Sequence, residues 1–128
     1  MTPLEPEVKT PAYMKRREKA WAEAGILFLG RPLPYPVFEA LVEFQGYRCA
    51  VCGMHSAFES LAADHDHKTR ELRGALDMRC NHRRVGVVER YGRYRSARVT
   101  RFVKEYLRRP PARKQAFMDL LRLKGLLP

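Results

Sequence analysis

The spacing of apolar and polar residues in the first third of the chain predicts two helices separated by a linker. Thr10 followed by Pro11 is typical of a helix start and Gly25 of a helix end, so a first helix is expected between them. Three prolines within residues 30–36 indicate a linker. A second helix is expected at about 36–45. Its apolar face consists of Phe38, Leu41 and Val42.

The pattern in the rest of the chain predicts a β-hairpin followed by three helices. The hairpin is expected at 61–76 and the first of these helices at 78–91, where Gly92 ends it. Ser96 is typical of the cap of a further helix, and a last helix is expected at about 112–124. The helix after Ser96 has an apolar stripe made of Val99, Phe102, Val103, Tyr106 and Leu107. The last helix carries Phe117, Leu120 and Leu121 on one side.

These elements indicate an α+β fold in three regions. Residues 1–34 form a Pro-rich arm and the first helix, 35–95 form a core of hairpin and following helix, and 96–128 form the C-terminal helices. Two short amphipathic helices at the end of so small a chain have little of their own protein to pack on. We therefore expect the C-terminal helices to form a homodimer interface.

The length and composition suit one small domain. A chain of 128 residues buries only a modest core, and such cores are often stabilised by a metal site or a partner subunit. The longest apolar stretch, residues 24–29, is far too short to cross a bilayer. Met1 is followed by prolines and acidic residues rather than by a signal peptide, so we expect a cytoplasmic protein with no membrane partner.

The charge is strongly positive and unevenly spread. The formal net charge is +11, and residues 70–113 hold 14 Lys and Arg against 4 Asp and Glu, so nearly all of the excess lies there. A polyanion is the expected partner, and nucleic acid is favoured over membrane because no hydrophobic insertion face accompanies the charge. The C-terminal helices are therefore also expected to contact DNA. The candidate DNA contacts are Arg70, Arg79, Arg83, Arg84, Arg93 and Arg95.

Two short knuckles indicate a zinc site. The three cysteines are an odd number, and the spacing Cys49-Ala-Val-Cys52 is that of half of a tetrahedral zinc site. Asp77-Met-Arg-Cys80 supplies a second knuckle at the start of a predicted helix. A zinc ion held by both knuckles would bring Asn81 close to the predicted hairpin.

The first strand of the hairpin carries the residues best suited to catalysis. In Asp64-His65-Asp66-His67 two imidazoles and two carboxylates alternate, so the carboxylates are expected on one face of the strand and the imidazoles on the other. Between two knuckles, and followed by an Asn at a helix start, this string favours a catalytic site over an adventitious metal-binding turn.

The segment from Phe44 to Gly86 resembles the phage recombination endonuclease VII family, a branch of the His-Me finger (ββα-metal, HNH-like) nucleases. The resemblance extends more weakly to residues 96–111. It is carried by the matched motif residues Cys49, Cys52, Asp64, His65, Asp66, His67, Arg73, Gly74, Cys80 and Asn81.

Two positions depart from the family pattern. Asp77 stands where the family has the first Cys of its second pair, and Arg70 where it commonly has Gly in the hairpin turn. A carboxylate is an acceptable zinc ligand, so we favour Cys49, Cys52, Asp77 and Cys80 as the zinc site. The alternatives are substitution by His82 or His55, or loss of the zinc.

The resemblance implies the roles of the remaining residues. Asp64 and Asn81 would coordinate one catalytic Mg²⁺ (or Mn²⁺), and His65 would take a proton from the attacking water. His67 would orient the phosphate or support the metal site, and Arg73 would contact a phosphate oxygen.

The implied function is metal-dependent hydrolysis of DNA phosphodiester bonds by a one-metal mechanism. The resemblance points to branched DNA, as cut by Holliday-junction resolvases, and to a homodimer encoded by a phage and acting in the cytoplasm of its bacterial host. Two alternatives stay open: an HNH-type enzyme that nicks ordinary duplex DNA, and a zinc-stabilised DNA-binding module without catalysis. The trio of Asp64, His65 and Asn81 argues against the last, because a pure binder has no use for it.

Overall fold

The computed structural model describes residues 9–127, so most of the predicted N-terminal arm lies outside it. The described part is an α+β fold, as the sequence predicts, and none of its helices is long and apolar enough to cross a membrane. Its elements are α1 (Pro11–Glu23), β1 (Leu27–Phe28), β2 (Arg31–Pro32), α2 (Tyr35–Phe44), β3 (Leu61–His65), β4 (Leu72–Asp77), a π-helical turn (Cys80–Arg84), α3 (Val85–Tyr91), α4 (Ala97–Arg108) and α5 (Gln115–Leu123).

Side-chain caps and a left-handed glycine set the helix ends that the sequence predicts. Thr10 Oγ1 accepts a hydrogen bond of 3.1 Å from the Tyr13 N–H, and Ser96 Oγ accepts one of 3.2 Å from the Val99 N–H. Gly92 ends α3 at a φ of 81°, which a residue without a Cβ adopts at little cost.

Two local features differ from the prediction. The chain before α2 forms a small antiparallel hairpin of β1 and β2 instead of a plain linker from residue 30. The helix expected from residue 78 contains the π-helical turn before it continues as α3. A π-helical turn changes the direction of the side chains that it carries, and Asn81 lies within it.

The hairpin of β3 and β4 has an irregular register at its centre. Asp64 pairs with Gly74 and His65 pairs with Leu72, so Arg73 is an extra residue on β4 without a partner on β3. Such bulges redirect side chains and interrupt the alternation of strand faces. The alternation of side-chain faces is therefore interrupted on β4, between Leu72 and Gly74.

The C-terminal helices bury much of their apolar faces within the chain itself. The Phe117 side chain of α5 is fully buried, with its ring centroid 5.5 Å from that of Phe44 and 6.2 Å from that of Phe28. Leu121 is also fully buried, and Val103 of α4 likewise. The premise of the predicted homodimer, that these helices lack internal partners, was therefore wrong.

Candidate active site and metal centre

Four side chains with metal-binding atoms meet at the end of the β3–β4 hairpin. The ligand atoms of Cys49, Cys52, Asp77 and Cys80 all lie within 4.8 Å of one another. Bonds of about 2.3 Å in a tetrahedral zinc site place thiolate sulfurs roughly 3.8 Å apart, so the spacing suits one ion. This Cys3Asp cluster could hold a metal such as zinc.

Hydrogen bonds donated by backbone N–H groups hold the two knuckles against β4. The Ala50 N–H donates to the Ala75 carbonyl at 3.1 Å, which fixes the first knuckle on the strand. Asp77 Oδ1 accepts from the Cys80 N–H at 2.8 Å, while Asp77 Oδ2 lies 3.1 Å from Cys52 Sγ. Asp77 therefore shapes the second knuckle with one oxygen and presents the other to the first knuckle.

The three thiols of the cluster differ in acidity. A hydrogen bond from Cys80 lowers the pKa of Cys49 to about 6, and the same bond raises the pKa of Cys80. Burial raises the pKa of Cys52 to about 11. Of the three thiols, Cys49 is the one whose pKa is lowered, and the thiolate is the form that binds metal.

The sequence suggested that Arg84 contacts DNA, but the structure places it beside the Cys3Asp cluster. Its side chain lies beside the cluster, with a guanidinium nitrogen 3.5 Å from Cys80 Sγ. Three thiolates and a carboxylate around a divalent cation carry a net negative charge, which Arg84 partly offsets. His55 and His82, the alternative ligands, are exposed and lie outside the cluster.

A separate cleft of about 210 Å³ brings together the four residues expected to act in catalysis. β3 contributes Asp64 and His65, and His67 lies two residues after the end of the strand. Asn81 reaches the same cleft from the π-helical turn, and α3 closes it with Glu89. The full lining is Ala63, Asp64, His65, His67, Asn81, Val85, Gly86 and Glu89.

The two histidines of the cleft are neighbours but differ in exposure. Their ring centroids are 5.4 Å apart, and His67 is exposed, with Nε2 3.9 Å from Glu89 Oε1. Burial lowers the pKa of His65. His65 is therefore neutral at neutral pH, the form that can accept a proton.

Asp66 has a local structural role. Its Oδ1 accepts hydrogen bonds from the Lys68 N–H at 2.7 Å and the Thr69 N–H at 3.0 Å. These bonds cap the turn that follows β3 and lower the pKa of Asp66.

Asp64 is buried and held by two other side chains. Arg73 donates to Asp64 Oδ2 through Nε at 2.9 Å and to Oδ1 through a terminal nitrogen at 3.1 Å. The Tyr106 hydroxyl of α4 donates to Oδ2 at 2.6 Å. Arg73 also binds Glu89, with N–O distances of 3.1 and 3.2 Å.

The predicted phosphate contact of Arg73 disagrees with this arrangement. Arg73 is only 4% exposed, and its guanidinium is shared between two carboxylates. The bulge in β4 directs this side chain to the buried side of the hairpin, where the carboxylates bind it.

Comparison with known proteins identifies the family. The family model for recombination endonuclease VII matches residues 34–109, which include both knuckles, the cleft and α4. The chain belongs to the recombination endonuclease VII family. The Gene 59 protein of Mycobacterium phage D29 is 39% identical over 74 residues, which cover 57% of this chain and 42% of that protein. The chain thus matches less than half of the length of this relative. No solved structure gives a significant match.

Two residues of this endonuclease VII family member were missed by sequence reasoning. Glu89 was only one of the few acids in a basic segment, and Tyr106 was assigned to the apolar stripe of its helix. Tyr106 is indeed buried, but its hydroxyl reaches Asp64. Only the spacing of Glu89, two helical steps of four residues beyond Asn81, could have placed it near the cleft.

Most of the candidate DNA-binding arginines of the endonuclease VII segment are exposed to solvent. Arg70, Arg79, Arg83, Arg93 and Arg95 are exposed, as a role in DNA binding requires. The outer face of α4 adds further exposed basic side chains, namely Arg98, Arg101, Lys104 and Arg108.

Proposed function

We propose that this protein is a metal-dependent DNA endonuclease that hydrolyses phosphodiester bonds, with branched DNA as its substrate. The observation that carries the proposal is the common cleft of Asp64, His65 and Asn81. The family match supports an endonuclease, and the many exposed basic side chains support a DNA substrate.

The cleft has the donor atoms that a hard divalent cation requires. Asp64 offers a carboxylate oxygen and Asn81 an amide oxygen, and Mg²⁺ or Mn²⁺ takes oxygen ligands while it keeps several waters. We therefore assign Asp64 and Asn81 as the residues that would hold the catalytic ion. When bound, the ion would stabilise the charge of the phosphate and of the leaving oxygen.

His65 is the residue that accepts a proton in the proposed reaction. A water molecule in the cleft attacks the phosphorus atom, its proton passes to the neutral imidazole of His65, and the bond to the leaving oxygen breaks. His67, exposed at the edge of the cleft, contacts the phosphate and orients it.

The Cys3Asp cluster is proposed to hold a structural zinc ion. Its four ligand atoms come from both knuckles, so the ion would fix the start of the π-helical turn relative to the hairpin. That link keeps Asn81 beside Asp64. The zinc therefore supports the cleft without taking part in hydrolysis.

We also propose a preference for branched DNA, a homodimer and a phage setting, and membership of the family is what supports them. Resolving a four-way junction needs two symmetric cuts, which a twofold homodimer supplies. The match to a phage protein supports a phage origin and action in the cytoplasm of a bacterial host.

The experiment compares a synthetic four-way junction with a linear duplex of the same sequence, in Mg²⁺ and in EDTA. We expect cleavage of the junction in Mg²⁺ and none in EDTA. Equal cutting of the duplex would instead identify an HNH-type nicking enzyme. Binding of both DNAs without cutting would identify a DNA-binding module and overturn the proposal.

A further inference from the structure

Three hydrogen bonds from two side chains hold the Asp64 carboxylate in place. Oδ2 accepts from Arg73 Nε and from the Tyr106 hydroxyl, while Oδ1 accepts only from a terminal nitrogen of Arg73. A carboxylate has about four lone-pair sites, two on each oxygen. Three of them are used here, and the remaining one belongs to Oδ1.

The Arg73 guanidinium is itself fixed. Its Nε and both terminal nitrogens donate to carboxylates, because Glu89 binds the side of the fork that Asp64 leaves free. Such bidentate pairs define orientation as well as charge. At 4% exposure the side chain has no room to turn toward solvent.

The position of the Tyr106 side chain is also fixed, because α4 packs it against β4. Its side chain is 3% exposed, and its ring lies against the Cα of Gly74, the register partner of Asp64. The hydroxyl therefore reaches Asp64 from α4 in one fixed position.

We propose that Arg73 and Tyr106 are positioning residues that hold Asp64 so that Oδ1 alone is available to the catalytic cation. This inference rests on the proposed function of the cleft. Arg73 and Tyr106 act through Asp64 and do not touch DNA. Holding the carboxylate in advance removes the cost of ordering it when the cation binds.

The test removes only the Tyr106 hydroxyl, with a matched control. Tyr106→Phe keeps the ring against Gly74. The control, Tyr35→Phe, removes the hydroxyl of a tyrosine that is 2% exposed, against 3% for Tyr106, and this hydroxyl has no hydrogen-bond partner within residues 9–127. For the zinc-loaded protein we expect Tyr106→Phe to lower kcat about tenfold. We expect the KM for junction DNA to stay within about twofold.

A second readout does not depend on cleavage. Titration with Mn²⁺, followed by electron paramagnetic resonance without DNA, should show binding about threefold weaker in Tyr106→Phe and unchanged in Tyr35→Phe. Arg73→Lys keeps the positive charge but loses the paired donor groups of the guanidinium. It should therefore bind Mn²⁺ more weakly than the wild-type protein.

The outcomes separate this inference from the proposed function. If Mn²⁺ affinity is unchanged or tighter in Tyr106→Phe, or if wild-type protein binds no Mn²⁺, the inference is wrong. Equal loss of kcat in Tyr35→Phe would also overturn it, since the effect would then be general. Wild-type protein that binds Mn²⁺ but cuts no DNA refutes the proposed function, and the titration still decides the inference.

Discussion

Tyr106 occupies the space that a side chain at residue 74 would need. A Cβ built on Gly74 would lie 2.8 Å from Cε1 of the Tyr106 ring and 3.0 Å from its hydroxyl oxygen. Real Cβ atoms essentially never approach other atoms that closely. The absence of a side chain at Gly74 therefore allows α4 to approach the hairpin beside Asp64.

Substitution Gly74→Ala should displace Tyr106 and loosen Asp64. Overpacking of this kind costs about 1–3 kcal/mol of unfolding free energy, measured by urea denaturation. Gly86→Ala is the control: a Cβ there meets nothing within 4 Å, and alanine in a helix should be neutral or stabilising by up to about 1 kcal/mol. Equal stability of Gly74→Ala and wild-type protein would show that the helix moves aside freely.

The parts of the fold that were predictable are those with local causes. The Thr10 and Ser96 caps depend on residues three positions apart, and the knuckles on spacings of a few residues. The pairing of Arg73 with Asp64 and Glu89 depends on a bulge and on a helix that returns to the hairpin. Sequence alone therefore assigned the buried Arg73 to DNA, because a basic residue in a basic segment gives no sign of its tertiary partners.

The packing of the last helix was unpredictable for the same reason. Its apolar residues were identified correctly, but α5 packs on α2, far away in the sequence. A hydrophobic face predicts burial without naming the surface that covers it.

The zinc site gives a prediction at Asp77. Purified protein should contain one zinc ion per chain, and Asp77→Cys should retain it with slower loss to a chelator, because thiolate is the softer ligand. Asp77→Ala should lose most of the zinc and unfold at a lower temperature, since it also removes the hydrogen bond to the Cys80 N–H. Elemental analysis checks the zinc content. Full zinc content in Asp77→Ala would exclude Asp77 as a ligand.

The turn between β3 and β4 contains a residue with backbone strain that a substitution could remove. Arg70 has a φ of 68°, a left-handed conformation that costs an ordinary residue about 1 kcal/mol. Arg70→Gly should therefore raise the unfolding free energy by up to about 1 kcal/mol. The gain is reduced by the loss of the hydrogen bond that the Arg70 side chain donates to the Ala24 carbonyl. A marked loss of stability would mean that this hydrogen bond outweighs the strain.

The exposed arginines should act on DNA binding through charge. Replacing both Arg93 and Arg95 with alanine should weaken junction binding in EDTA and reduce the slope of log Kd against log salt by about one for each arginine that pairs with a phosphate. Arg16→Ala, at an exposed position of α1, is the control and should leave the slope unchanged. An unchanged slope in the Arg93 and Arg95 variant would place the DNA elsewhere.

The central claim is that the cleft of Asp64, His65 and Asn81 hydrolyses DNA, and its most direct test is single-turnover cleavage of a four-way junction by His65→Ala in Mg²⁺. The rate should fall about 100-fold or more, while junction affinity in EDTA stays within about twofold of wild type. His55→Ala, an exposed histidine outside the cleft, should cut normally. Undiminished cleavage by His65→Ala, or loss of binding together with cleavage, would contradict the catalytic role of His65.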